Sequence, residues 1–392
     1  MTWNVAAINN NPFEYWISSE DRQYTQLMGR VSDFIEHPGA RDVQVEALFT
    51  EDMFLELEGA MKAAGWGGVE ETRKLWESDF KGRKIISGFL KDPVLGKKRL
   101  ASMPDRVTNT INTLSGEKVM RPTVINCYSG NIGTIKAWWK QYMKFFFKTE
   151  ISIKKKGEVK NLVISSMLSP IKRSKYPALS EEEEKISIPL QTLCGAIFDA
   201  ILVHMMNEIS AGAIDWQQIR TDICLKLNSQ KSDRTVEILE YTYGDADIQF
   251  LQEVAGNFDA FVADKGISRM FDVYHSADMD TERDQNSYIL LKKGRFRDIQ
   301  EVTEAVISNY NANNAEKLPV VKGDLVAMVK IHYRHHCHHY SYTIILTILT
   351  IITTIIIIII IIIITIITII NIINITNIII TSIITIITIT ST

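Results

Sequence analysis

The sequence predicts an α/β protein of the α+β kind, with helices and strands largely segregated along the chain. Three observations carry that expectation. Apolar residues recur at helical spacing through most of residues 13–240. Short apolar and strand-like runs return after residue 241. A further short run, Thr2–Ile8 (TWNVAAI), stands at the start and is closed by the turn signal Asn9-Asn10-Asn11-Pro12. The 392 residues, 46% of them apolar, suffice for one large domain or two ordinary ones. A net charge of −3 argues against a wholesale basic nucleic-acid coat and against an acidic disordered chain, so any polyanion site is local.

The helical block reads in order. Asp21–Ile35 places Leu27, Val31 and Ile35 on one face, and Val43–Ala64 continues until Gly65-Trp66-Gly67-Gly68 breaks it. Val69–Phe80 and Lys84–Leu90 are shorter helices, and Thr123–Cys127 (TVINC) reads as a lone strand. Ile132–Phe147 is helical and rich in aromatics, which core packing explains better than a binding surface. Lys148–Leu168 reads as an exposed loop or hairpin whose basic run is a solvated face. Ser180 with Glu183 forms a capping box, and Pro189 can begin the next helix. Leu190–Ile209 is apolar nearly all round and reads as a buried central helix, with Cys194 and His204 as core residues within it. Asp215–Leu227 and Asp233–Tyr241 complete the block.

Beyond it, Asp247–Val254, Met270–Tyr274, Ser287–Lys292 and Gly323–Ile331 read as strands. Gly256–Asp264 and Phe296–Tyr310 read as helices. No internal repeat is visible.

The last sixty residues differ from the rest. Ile331–Tyr342 (IHYRHHCHHYSY) carries five of the eight histidines, and residues 343–392 contain 30 Ile and 13 Thr with no charge, aromatic, Gly or Pro. Three readings of residues 333–392 compete. Thr343–Ile370 is long enough for a membrane anchor. The HHCHH run offers imidazole and thiolate ligands, without the separated ligand pairs of a closed zinc site. His, Ile and Ser also share one simple codon repeat read in three frames, so a frame artefact explains both tracts together. The artefact reading is favoured, because anchors mix apolar types and carry interfacial aromatics, and because the β-branched run Ile355–Ile364 favours strand over helix.

Cysteines stand at 127, 194, 224 and 337, with no CxxC pair and no small-protein disulfide spacing. Buried or free thiols in a reducing compartment are expected. The N-terminus has no basic region followed by an apolar one, so it does not read as a signal peptide. Cytoplasmic or nuclear location follows, or membrane if residues 343–392 are genuine.

The chemistry centres on polar residues carried by apolar strands. Asn4 follows Trp3 on the first. Glu253 ends the run Asp245-Ala246-Asp247-Ile248-Gln249-Phe250-Leu251-Gln252-Glu253. A buried carboxylate is costly unless it is paired or meets a cation, and Mg²⁺ is satisfied by one or two carboxylates plus water and phosphate oxygens. The Trp-Asn strand, the D-x-D-I-x-F-L-Q-E strand and the following Arg283-Asp284-Gln285-Asn286-Ser287 strand together resemble the endonuclease/exonuclease/phosphatase superfamily, the fold group of pancreatic deoxyribonuclease. The resemblance covers residues 1–12 and about 241–331.

That resemblance implies a two-sheet α/β sandwich, here partial and interrupted by a large helical insertion. It implies Mg²⁺-dependent phosphoester hydrolysis, with Mn²⁺ as a substitute. Glu253 would be the metal ligand, and Asn4 and Asn286 would be catalytic, facing the substrate. The implied partner is a phosphate-ester substrate: nucleic acid, inositol phosphate or nucleotide. The domains expected are 1–12 with 241–332, a helical lobe at 13–240, and the tail at 333–392. Two departures stand out. About 240 residues separate the Asn and Glu strands. The family's GDxN-type loop and SDH-type Asp-His pair do not follow Gly323–Ile331, and His332 has no supporting context after it. A truncated, catalytically incomplete copy exposing an apolar sheet face is therefore expected. The alternatives are a non-enzymatic helical interaction protein and a tail-anchored membrane protein.

Overall fold

The structure is a computed structural model describing residues 1–7, 10–14, 16–155, 158–210, 214–279, 285–332 and 341–347. The chain is a mixed α+β protein. It divides into two compact units, one formed by residues 9–230 and the other by residues 1–8 with 231–392. Strand β1 (Thr2–Asn4) opens the chain and belongs to the second of these.

The unit of residues 9–230 is mainly helical. Helix α1 (Arg22–Glu36) starts at Asp21, whose carboxylate accepts from the Gln23 amide. Helix α2 (Glu51–Ala63) is capped by Thr50 in the same way, and α3 (Val69–Ser78) follows the Gly-rich break. Gly68 there has φ +82°, a left-handed conformation that glycine adopts freely, and a side chain at this position would collide with Ile186. Residues 85–90 wind as a π-helical turn. Short helices α4 (Pro93–Lys98) and α5 (Ser102–Thr108) lead to a hairpin of β2 (Thr110–Asn112) and β3 (Lys118–Met120). Helix α6 (Ile135–Lys148) turns Trp138, Tyr142 and Phe146 into the core, where they stack on one another, so the aromatic run is core.

The basic stretch is an antiparallel hairpin of β4 (Glu150–Lys155) and β5 (Glu158–Val163), with Lys154 and Lys160 exposed. Helix α7 (Glu181–Lys185) carries the Ser180–Glu183 capping box. Helix α8 (Ser187–Ser210) is the buried centre of the unit. It is long and apolar enough to cross a membrane, by length and composition alone, yet most of it lies inside the unit. Helix α9 (Trp216–Cys224) packs beside it.

Two expectations fail here. Thr123–Cys127 forms no strand. Its residues are held singly, Thr123 by Asp199 and the Thr123 and Tyr128 carbonyls by Arg220, which leaves no partner strand to pair with. The cysteines are not all free thiols: Cys127 and Cys224 form a disulfide across 97 residues, while Cys194 is free and buried. Spacing did not reveal this pair because α9 brings the second cysteine to the 121–134 segment only through the tertiary fold.

The second unit is built on sheets. Helix α10 (Lys231–Glu237) and the π-helical turn after it lead into β6 (Ile248–Val254), α11 (Phe258–Val262), α12 (Ile267–Met270), β7 (Phe271–Tyr274) and β8 (Asn286–Lys292). Strand β9 (Ile299–Glu301), helix α13 (Thr303–Asn313), β10 (Val326–His332) and β11 (Ser341–Thr347) complete it. The main sheet has the order β1-β6-β8-β7, with β1 parallel to β6 and β8 antiparallel to both its neighbours. The second has the order β11-β10-β9, antiparallel throughout.

Period-two alternation along β8 divides its side chains between two cores. Tyr288 and Leu290 join Leu251, Phe258, Val262, Ile267, Val236 and Leu239 on the helix side. Ile289 and Leu291 join Val326 and Met328 of the second sheet on the other. Both faces are covered, so the apolar sheet face expected of a half-sandwich is not exposed. The helix at Asp233–Tyr241, expected with the helical block, packs in this unit, since Val236 and Leu239 belong to its core. Residues 296–302 are not helical as expected, because Ile299–Glu301 pairs with β10. Thr343–Thr347, the start of the segment long enough for a membrane anchor, pairs as part of strand β11 with β10. Most of the His-rich run and the Ile-rich tail lie outside the described residues.

Candidate functional site

The register of β1 against β6 places Thr2 opposite Phe250, Trp3 opposite Leu251 and Asn4 opposite Gln252. The parallel pairing continues beyond β1: the Val5 amide donates to the Gln252 carbonyl at 2.9 Å and the Ala7 amide to the Glu253 carbonyl at 2.7 Å. Between Leu251 and Val254 the register against β8 shifts, and Glu253 takes φ +52°. A left-handed non-glycine residue in a strand is the mark of a bulge, which re-aims its side chain. Asn4 is exposed and Glu253 is half-exposed, so the two side chains sit at one rim of the sheet, at the carboxyl ends of neighbouring parallel strands. The expectation of a buried Glu253 does not hold; the bulge brings it toward solvent.

Asn4 is held by a local turn. Its Oδ1 accepts the Ala6 amide at 2.9 Å, with Ala6 at φ +50°. This Asx turn uses the acceptor and leaves the NH₂ group for a ligand oxygen. Glu253 makes no ion pair among the described residues, and no group of three or more His, Cys, Asp or Glu capable of holding a metal occurs among them. A divalent ion here would therefore rest on Glu253, with waters and substrate oxygens completing its shell. One carboxylate completed by water and substrate oxygens is a pattern compatible with Mg²⁺ chemistry.

Asn286 does not face a substrate. It starts β8 opposite Val254 and is completely buried, its NH₂ lying 3.4 Å from the Val254 carbonyl. Gly323, at φ +84°, closes over its Oδ1, where a side chain on residue 323 would collide. The neighbouring Ser287 amide donates to the Gly323 carbonyl at 2.8 Å and its hydroxyl to the Asp324 carbonyl at 2.7 Å. Asn286 thus ties the end of the bulged strand to the turn before β10. Asp245 and Asp247 lie at the opposite end of β6, exposed and near Lys292 and Arg295, so they do not join the rim.

The rim also holds residues that sequence reasoning missed. His275 follows β7 directly and packs edge-on to Tyr288, with ring centroids 5.4 Å apart. Its Nδ1 lies 2.8 Å from the Ser276 carbonyl, which assigns the proton to that nitrogen, and its Nε2 faces the Asp259 carboxylate at 3.6 Å. Burial pushes the Tyr288 phenol up, and the Asp259 charge adds to the effect. His275 thus lies between the first turn of α11 and the end of β7. The available signal was its position one residue past the strand-like run Met270–Tyr274.

In the helical unit, the His204 ring is half-buried and edge-on to Phe34, and burial pulls its pKa down. Cys194 is fully buried and its thiol is pushed up. Cys194 thus belongs to the unit's apolar core, while His204 lies at its edge, lining a cleft with Leu48, Met53 and Trp139.

Residues 42–221 match the model of a family described as a domain of unknown function, DUF8234. The matched stretch lies wholly within the helical unit. No curated protein and no solved structure matches the chain.

Proposed function

We propose that the sheet unit is a metal-dependent phosphoester-hydrolase scaffold of the endonuclease/exonuclease/phosphatase type, with Glu253 as its metal ligand. The observation that carries this reading is the β1–β6 register. It sets Asn4 beside the strand position that precedes Glu253, and the register shift of β6 against β8 places the bulge at the same rim, where the parallel strands end. Ligand and metal sites of open α/β sheets favour such carboxyl ends. The stacking of a second sheet on the main one supports the same reading.

In this scheme Glu253 holds Mg²⁺ or Mn²⁺, and the ion supplies charge stabilisation of a phosphate ester when bound. The Asn4 NH₂ donates to a phosphate oxygen. Asn286 keeps the bulge in place from beneath. The substrate class is a phosphate ester of a nucleic acid, inositol or nucleotide. No segment after Gly323 matches the family's Asp-His pair that activates water, so this chain is expected to bind metal and turn over poorly.

The test is Mn²⁺ binding by the full chain, followed by electron paramagnetic resonance. Glu253→Gln should abolish the bound-ion signal. The circular dichroism spectrum should not change, because a half-exposed substitution typically shifts stability by only about 0.5 kcal/mol. Undiminished binding in the variant would remove the assignment. Robust Mg²⁺-dependent cleavage of bis(p-nitrophenyl) phosphate by the wild-type chain would overturn the expectation of poor turnover.

A further inference from the structure

A second feature, in the helical unit, belongs to none of this chemistry. Cys127 lines a cleft of about 310 Å³ together with Lys118, Lys144, Tyr128 and Gln141. Both cysteines of the Cys127–Cys224 disulfide are only half-buried. The two lysines are exposed, one on β3 and one on α6, and the exposed Glu117 beside Lys118 also lines the cleft, so its side chains carry two positive charges against one negative next to Cys127.

On the other side of the bond is an unusual cation. Arg220 is buried and donates only to carbonyl oxygens, those of Thr123 at 3.2 Å and Tyr128 at 3.0 Å, with its guanidinium over the Trp216 ring. It has no carboxylate partner among the described residues. Burial without a counter-charge is costly and pulls its pKa down to about 10. Arg220 stands one helical turn before Cys224 on α9, its guanidinium turned to the Trp216 ring and to the carbonyls of the segment that carries Cys127.

We propose that the Cys127–Cys224 disulfide is a thiol-exchange site for a small anionic thiol, whose carboxylates Lys118 and Lys144 receive. The incoming thiolate sulfur attacks Cys127 Sγ from the cleft, and a new disulfide forms between them. The Cys127–Cys224 bond breaks and its electron pair leaves on Cys224 Sγ, as a thiolate with Arg220 one helical turn away. The attacking thiol has given its proton to solvent beforehand. The incoming sulfur is oxidised to the disulfide level, Cys224 is reduced, and no further oxidant is needed.

The exchange does not require the segment to detach. The Arg220 contacts remain, and the Ile132 amide still donates to Gln217 Oε1 at 3.1 Å, so the 121–134 segment stays fastened to α9. The mixed disulfide is therefore a modification of the folded protein.

The experiment treats the full-length protein with glutathione, quenches with iodoacetamide under denaturing conditions and maps the cysteine peptides by mass. The expected product carries the tripeptide on Cys127 and the alkyl group on Cys224. Lys118→Ala with Lys144→Ala should slow glutathione capture about threefold to tenfold, the scale of two solvent-exposed charge contacts. It should leave capture of uncharged 2-mercaptoethanol unchanged, and the paired Lys→Arg replacements should keep the wild-type rate. A tripeptide on Cys224, equal slowing for both thiols, no slowing for either, or exchange only after denaturation would each overturn the proposal.

Discussion

Asp199 lies fully buried on α8, where its Oδ1 accepts from the Thr123 hydroxyl at 2.8 Å and from Arg121 Nη2 at 3.2 Å. Arg121, itself buried, also reaches Asp105 at 2.9 Å. Burial pushes the Asp199 carboxyl up to about 6, against the pull of Arg121 and the Thr123 hydrogen bond. The folded value lies above the ordinary 3.8, so between about pH 4 and pH 6 the unfolded chain has released a proton that the native state keeps. This group's contribution is therefore fully present below pH 4, falls as pH rises to 6 and is flat above. The gap corresponds to an upper bound of about 3 kcal/mol. Urea unfolding at several pH values from 4 to 7 should show the difference between wild type and Asp199→Asn shrinking by up to that amount. A difference independent of pH would mean that Asp199 titrates normally. None of this was legible in the sequence: Asp199 is a lone acid in an apolar run, and its partner Arg121 is 78 residues away. Asn4 and Glu253 stand out in the sequence as polar residues on short apolar strands, and the β1–β6 pairing brings their strand ends together. The burial of Asn286 was not legible, since the Gly323 turn that covers it arrives from 37 residues downstream.

Helices α2 and α3 illustrate how single elements are joined. Glu58 on α2 is buried, and Arg73 on α3 holds it through two parallel contacts, Nε to Oε1 at 2.7 Å and Nη2 to Oε2. Lys62 adds a third contact at 3.2 Å, and these cations hold the Glu58 carboxyl below its usual range. Arg73→Ala would leave a buried carboxylate with Lys62 alone. We expect a loss of about 3 kcal/mol, the low end for breaking a buried pair, measured by chemical denaturation. A loss under about 1 kcal/mol would show that Lys62 and water suffice. The helices themselves were readable because their caps and periodicity are local: the Ser180–Glu183 capping box and the apolar α8 appear where their residues say. The π-helical turns at 85–90, 225–229 and 238–242 were not, because they continue the apolar spacing of a helix while changing its winding. The β2–β3 hairpin was also missed, its strands being three residues each.

The whole chain comprises two units with separate cores, one around α8 and the other on the two faces of the β6–β8 sheet. The two cores of the sheet unit share strand β8 and melt together, whereas each compact unit is expected to unfold as its own cooperative block. Differential scanning calorimetry of the full chain should resolve two transitions, and Arg73→Ala should move only one of them. A single cooperative transition, displaced as a whole by that substitution, would contradict this. The α+β class was legible from the change in period near residue 241. The pairing of β1 with β6 was not, because periodicity marks a strand without naming its neighbour.

That pairing has a consequence for how the protein is made. The first three-residue strand finds its partner only when residues 248–254 have been synthesised. At about 5–20 residues per second, β1 leaves the ribosome roughly 12 to 50 s before β6 exists. Through that interval residues 9–230 are completed while the opening strand has nothing to pair with. Nascent chains arrested near residue 240 and near residue 340 should differ in protease access to residues 1–8. The main sheet is thus begun well before it can be closed, and β1 is a strand that a chaperone would meet unpaired throughout the synthesis of the helical unit.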